Sequence, residues 1–432
     1  MPPCASQCSG ALTRSTSRSA PRCSSMKPCV SGKHKIATMF SNRMFALRWA
    51  LGVGGFALAL TACGGLAAPE PTQAPVLVTI FAPSPTDTPP PTFTAAVPTD
   101  TPEPRAAGPV GDVAPAPLVL DAEANPFTGL RPQDPAALQR RPLLIKVANT
   151  AVVRPQSGLG SADVVVEHLS EGGITRFTAL YLTNAPEKVG SVRSCRLIDI
   201  ELPQMFDAAL VCSGTSPGVK PLMRRSWAHQ NNLTMISDFG PFECPTCPMF
   251  RTRDRQAPHN LFANTLNAWR ELDKRGKNTP STFRGWSFTE APSKGKPTTR
   301  VEVAYASGTV SWSYDPSNGV WTRALGKEVQ VDALNRQPIV AANVVVLYAH
   351  HQVTDIQEDV TGARSIQIQI WGEGPLRVFR DGVEIGGRWV RDPTRVGGFE
   401  FRESSGARIP LKPGATWIEV VPITGEVPVN TR

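Results

Sequence analysis

Common fingerprints of catalysis are missing from this chain. No zincin, P-loop, nucleophile-elbow or dinucleotide fingerprint is read in its 432 residues. His350-His351 has no further ligand at useful spacing, so no metal and no cofactor is expected. No internal repeat stands out either. A membrane-length apolar run is also missing: Trp49–Leu60 is too short to span a bilayer comfortably. Acidic residues are absent from 1–62, where eight of the 45 Lys and Arg lie, leaving 37 basic residues against 36 acidic ones beyond. The basic pI of 9.2 therefore belongs to the leader, and no nucleic-acid partner is expected.

That leader has the form of a signal peptide. Arg43 and Arg48 flank Met44, the apolar run follows, and Leu60-Thr61-Ala62-Cys63-Gly64 resembles a bacterial lipobox. Cys63 is then the lipidation site (a palmitate-type anchor) and the mature N-terminus. Met44 is placed as a natural start, so 1–43 reads as a mis-assigned extension. From 63 to 120 the chain is rich in Pro, Thr and Ala, with TPPPTFT and PTDTPEP as its densest parts. Such a composition cannot bury enough apolar surface to repay ordering, and it predicts a disordered, semi-rigid tether. The expected location is the outer face of a bacterial cytoplasmic membrane, with the membrane as partner through Cys63. Four cysteines remain in the body. A local disulfide is preferred for Cys244-Pro-Thr-Cys247, and a Cys195–Cys212 bridge is left open.

The body opens at Asn125-Pro-Phe-Thr-Gly129. Strands are expected at Leu143–Val147, Asp163–His168, Arg176–Leu182 and Ala208–Cys212. Helices are expected at Leu197–Phe206, Val219–Trp227 and Leu261–Leu272, the last capped by Asn260. Interleaved strands and helices predict an α/β domain over 122–290, a mixed sheet with helices. From Lys294 the pattern turns to strands alone, with turns at Asp315–Gly319 and Asp381-Gly382. This predicts a small, mainly antiparallel β domain over 295–425.

The site argument rests on three Gly/Ser/Arg segments: RPQSGL at 154–159, EGGITR at 171–176 and VGSVRSCR at 189–196, with QAPHNL at 256–261 beside them. Arginine forks suit carboxylates and phosphates. If the strands run parallel, segments after strands and segments opening helices share one sheet edge. On that premise Arg154, Gln156, Ser157, Glu167, Thr175, Arg176, Arg193, Ser194, Arg196, His259 and Asn260 line one cleft. Glu167, His259 and Ser194 are the catalytic candidates, and the others bind ligand. Glu167 sits in an apolar strand, where it is either held by an arginine or tuned for acid/base work. His168 should face the other way. The four arginines can equally be spent in ion pairs with Glu167, Glu171, Asp199 and Glu201.

At RPQSGL, EGGITR, VGSVRS and QAPHNL, and again at NVVVLY, VFRDGVEIGGRW and LKPGATWIEVVP, the chain resembles the YerB-like lipoprotein family of bacteria. The resemblance runs from 125 to about 423. It implies a two-domain envelope lipoprotein and assigns no activity. Two positions depart from the family pattern. Ala148 replaces an acidic residue, which removes a carboxylate role there. Cys195 replaces a small residue, which argues against a family-wide thiol mechanism. Two functions follow as expectations: a binding module for a cell-wall glycan, stem peptide or envelope protein, or a hydrolase of a wall polymer with Glu167 or His259 as acid/base.

Overall fold

The computed structural model describes residues 121–432; the leader, Cys63 and the tether up to residue 120 lie outside the described residues. A twelve-stranded sheet is the backbone of the molecule. Its main path runs Phe399–Arg402, Val383–Arg391, Gly372–Arg380, Asn343–Gln357, Thr416–Pro422, Val164–Leu169, Thr175–Tyr181, Leu143–Ala148, Ala209–Cys212, Thr234–Ile236. Thr416–Pro422 lies parallel to both Asn343–Gln357 and Val164–Leu169, so hydrogen bonding passes without a break between the two halves of the sequence. A six-stranded sheet containing Arg300–Tyr305, Gly308–Asp315 and Val320–Leu325 is antiparallel throughout. The fold is thus mixed sheet with short helices first and mainly antiparallel sheet afterwards, as the sequence predicts.

Both faces of the central strands are covered, which explains their nearly unbroken apolar character. On one face Val165, Phe177 and Trp417 pack with Val301, Trp312 and Trp321 of the second sheet. On the other face Val166, Leu180 and Leu210 pack with Leu202, Met205 and Phe206 of a short helix. Among the described residues no helix is long and apolar enough to cross a membrane.

Three expectations need correction. The strands are not all parallel: Leu143–Ala148 runs antiparallel to Thr175–Tyr181 and parallel only to Ala209–Cys212. The segments after 148 and after 182 therefore leave from opposite edges of the sheet. Second, the helix expected at Leu261–Leu272 begins as the strand Leu261–Ala263. Its helical part is Thr265–Lys274, capped by Asn264, whose side chain accepts from Asn267 N–H at 3.0 Å. Asn260 is instead fixed by Arg251 (2.7 Å) and by donation to the Thr252 carbonyl (2.9 Å). Third, Val219–Trp227 is two helices, Lys220–Arg225 and Trp227–Gln230, because Ser226 leaves the helical conformation and caps the second.

Candidate functional site

Strands Leu143–Ala148 and Ala209–Cys212 pair only as far as Ile145 and Val211. Beyond that the chain from Ser191 to Cys195 wedges between them. Ala148 N–H donates to the Ser191 carbonyl (2.9 Å), and Arg193 N–H to the Lys146 carbonyl (3.0 Å). On the other side Ser213 N–H donates to the Arg193 carbonyl (2.9 Å) and Cys195 N–H to the Gly214 carbonyl (3.1 Å). A Cys195–Cys212 disulfide pins the wedge, and a second disulfide joins Cys244 to Cys247. Ser157 and Gly190 exchange main-chain bonds at 2.9 and 3.0 Å, and Val192 N–H donates to Leu261 O at 2.7 Å. The backbone of RPQSGL, VGSVRSCR and the end of QAPHNL therefore meets at this wedge, although the strands are antiparallel. The long return of the chain after Leu182 does what parallel topology was expected to do.

The side chains divide between the two faces. Glu167 pairs across strands with Phe177, and His168 with Arg176, so Glu167 and Arg176 point to opposite sides. Around Arg176, Glu171 accepts from Arg176 and from Arg196 Nε at 2.7 Å. Arg176 also donates to the Ser194 carbonyl at 2.9 Å. Burial alone would raise the Glu171 carboxyl, but the Arg196 hydrogen bond and the charges of both arginines hold it well below its usual range. Burial brings Arg176 down to about 9, helped by the neighbouring Arg196 charge. Beneath them Lys146 Nζ, fully buried, touches Asp199 (2.8 Å), Thr178 (3.1 Å) and His168 Nε2 (2.6 Å). Burial pushes this lysine down to about 8 despite Asp199. Burial and the Lys146 charge push His168 well below its ordinary value.

The other face is organised by carboxylates. Glu167 has no exposed surface and accepts from Thr175 (2.7 Å), Asn149 (3.3 Å), Arg323 (2.6 Å) and Trp417 (3.2 Å). Arg323 sits among Trp417, Phe177 and Trp312, with 4.8, 5.5 and 5.8 Å from its guanidinium carbon to the ring centres. Asn149 is the hinge to the loop: Arg154 donates to its side chain (3.2 Å) and carbonyl (2.6 Å), and Gln156 to its side chain (3.1 Å).

The structure thus gathers Arg154, Gln156, Glu167 and Thr175 about Asn149, and Arg176, Arg196 and the Ser194 carbonyl about Glu171. Arg193 stands apart. It is half-buried, and among the described residues its guanidinium has neither a hydrogen bond nor an acidic partner within salt-bridge distance. His259 lies within its electrostatic reach. Burial first, then the charges of Arg193 and Arg255, lower the His259 imidazole. Its carbonyl takes the Ser191 hydroxyl, and its buried Nδ1 has no partner.

Sequence reasoning passed over Asn149, Arg323 and Arg255, which donates to the Val153 carbonyl at 3.0 Å. It also passed over Gly214-Thr215-Ser216-Pro217-Gly218, which matches a nucleophile elbow in pattern and lies between strand Ala209–Cys212 and helix Lys220–Arg225. Ser216 is not in the strained positive-φ conformation, and its hydroxyl accepts from Val219 N–H at 3.3 Å. The segment therefore reads as a hydrogen-bonded turn leading into helix Lys220–Arg225 beside the wedge. Its signal was legible as a fourth Gly/Ser-rich stretch after a strand.

Family models describing the N-terminal and C-terminal domains of a protein of unknown function, DUF3048, match residues 127–278 and 301–418. The chain is 30% identical over 303 residues to "Putative lipoprotein YerB" of Bacillus subtilis (strain 168), covering 69% of this chain and 86% of that protein. The crystal structure of YerB protein from Bacillus subtilis superposes with a TM-score of 0.59 at 27% identity, over 71% of this chain and 99% of that one.

Proposed function

The chain belongs to the YerB-like DUF3048 family, and we propose on that footing that it is a lipid-anchored envelope protein that binds an anionic group at the wedge. Cys63 carries the anchor, 63–120 is the tether, and the working halves are 122–290 and 295–425. The lipoprotein name of the relative supports the anchor. The observation that supports the site is Arg193. Arg176 and Arg196 pair directly with Glu171, whereas Arg193 is half-buried, makes no ion pair among the described residues, and feels Glu171 only through its field. A desolvated, unpaired guanidinium is costly unless something arrives to pair with it. A stem-peptide carboxylate or a wall-polymer phosphate supplies that charge on a pair of oxygens that the planar guanidinium fork can bind together. Glu167 is closed off inside the core and held by Arg323, which argues against acid/base work on a polymer there and leaves the hydrolase alternative to His259 alone.

The test is capture of wall fragments by full-length protein in detergent, read by mass spectrometry. Arg193→Ala should abolish capture of anionic fragments and leave thermal stability nearly unchanged. Undiminished capture by Arg193→Ala would remove the assignment. For the anchor, Cys63→Ala should release the protein from membranes or stop its processing. A correctly cleaved, membrane-retained Cys63→Ala product would exclude lipidation there.

A further inference from the structure

A second site lies at the other end of the strands. Leu182, just past strand Thr175–Tyr181, borders a cavity of about 540 Å³, whereas the wedge meets that strand at its Thr175-Arg176 end. The cavity falls within the size range of small-ligand pockets, ~300–1,000 Å³. Its polar lining includes Gln139, Arg284, Ser287 and Glu290, and Phe288 is its one aromatic wall. We propose that this cavity binds an uncharged sugar unit of a glycan.

Charge is the first argument. Arg284 is offset by Asp121 and Glu290, so the lining has no cationic excess to attract a phosphate or carboxylate. The lining polar groups are of the kind that read vicinal hydroxyls. Gln139 and Glu290 each offer two polar atoms in one plane, and Arg284 keeps Nε and Nη2 for a ligand, since its Nη1 already donates to the Ser281 and Phe283 carbonyls (3.1 and 2.6 Å). Among the described residues the side chains of Gln139, Ser287 and Glu290 make no hydrogen bond. By contrast Asn125, which also borders the cavity, is spent on Asp163 (3.1 Å) and Thr183 (3.0 Å).

The second argument is Phe288. Its neighbours Phe283 and Trp286 are buried in a ring cluster with Phe127, Phe206, Phe399 and Phe401. Phe288 is half-buried and stacks on no ring within that cluster. It is nevertheless held firmly. It rests on Gly129, where φ is +67° and an added Cβ would lie 2.4 Å from the Phe288 Cγ. Thr289 N–H donates to the Leu411 carbonyl (2.9 Å), and Leu411 N–H to the Ser287 carbonyl (2.8 Å). A fixed aromatic platform among planar polar groups suits the apolar face of a pyranose ring and its equatorial hydroxyls. An extended peptide fits less well, because the main-chain groups it would pair with at Ser287 and Thr289 are already taken by Leu411.

The test titrates full-length protein in detergent with a neutral β-linked N-acetylglucosamine tetramer, followed calorimetrically. Saturable binding is expected, weakened at least about tenfold by Phe288→Ala, the range of a contact residue that matters. Gln139→Ala, an exposed position that does not burden folding, should weaken it less. Arg193→Ala should leave it intact, which separates this site from the anionic one. Absence of saturable binding would overturn the proposal. So would sugar binding indifferent to both Phe288→Ala and Gln139→Ala, sugar binding lost in Arg193→Ala, or Phe288-dependent binding of an unglycosylated peptide in place of the sugar.

Discussion

On one face of the central sheet two arginines, Arg176 and Arg196, share one carboxylate, Glu171. On the other face one arginine, Arg323, faces two carboxylates: it bonds Glu167 directly and acts on Glu419 only through its field. Glu167 and Glu419 are neighbours on parallel strands, so both point the same way. Tyr305 OH and Trp312 N–H hydrogen-bond Glu419 at 2.8 and 3.0 Å. The first face sets Arg176, Arg196 and Lys146 against Glu171, Asp199 and Glu358, and it lies beside the wedge, where Arg193 makes no ion pair among the described residues. The face with surplus carboxylates is sealed beneath the second sheet. The same residue types thus serve a binding edge in one place and a core in the other, and access decides which.

The largest expected effect comes from breaking the sealed face. Arg323→Ala leaves Glu167 buried without its cation, and removing one partner of a fully buried pair costs about 3–5 kcal/mol. Chemical denaturation should show this loss, whereas Arg193→Ala should show little. Equal losses in the two variants would erase the distinction drawn between the faces.

pH should move the two faces in opposite directions. Burial, followed by the charge of Glu167, raises Glu419 to about 8 from 4.5. The folded state then holds a proton that the unfolded state has released, so stability falls as pH rises from 4.5 to about 8 and does not fall further from this group. Glu171 behaves oppositely. Its depressed carboxyl contributes stability that is present above its unfolded value and is lost as pH drops below 4.5. Glu419→Gln should flatten the alkaline-side decline of the denaturation midpoint and leave the acid-side decline in place. An unchanged profile in Glu419→Gln would show that the decline arises elsewhere.

Much of this was legible in the sequence, and the failures have definite causes. Strand positions 143–147 and 163–168 were readable from apolar runs, and the opposed facing of Glu167 and His168 from strand period. Strand direction was not readable, because strands buried on both faces carry no alternation from which pairing can be argued. The segments that meet at the wedge were legible by composition. Which arginine stays free was not, since it depends on Glu171, and on Glu358 from a hairpin far along the chain. Arg323 went unnoticed because it lies in an ordinary alternating strand whose partner is 156 residues away. Asn260 and Asn264 are both plausible caps four residues apart, and the β-forming Leu261–Ala263 between them decided for the second.

The smallest effect sharpens the comparison most. Glu358 is the third acid on the face beside the wedge, after Glu171 and Asp199. Its side chain is fully buried, with Oε2 3.4 Å from Arg196 and in no hydrogen bond, and Oε1 accepting from Ser365 at 2.6 Å. Glu358→Gln keeps an oxygen for Ser365 and removes only the charge. The attraction lost to Arg196 is offset by no longer burying an ion, so stability should change by about 1 kcal/mol or less. The field at the wedge, however, becomes more positive by one full charge, and capture of anionic fragments should tighten. The readout is the affinity ratio of Glu358→Gln to wild type at low salt, with the gain shrinking as salt is added. If Glu358→Gln binds anions more weakly, Glu358 matters by holding Arg196 in place, and its charge does not set the affinity of the wedge.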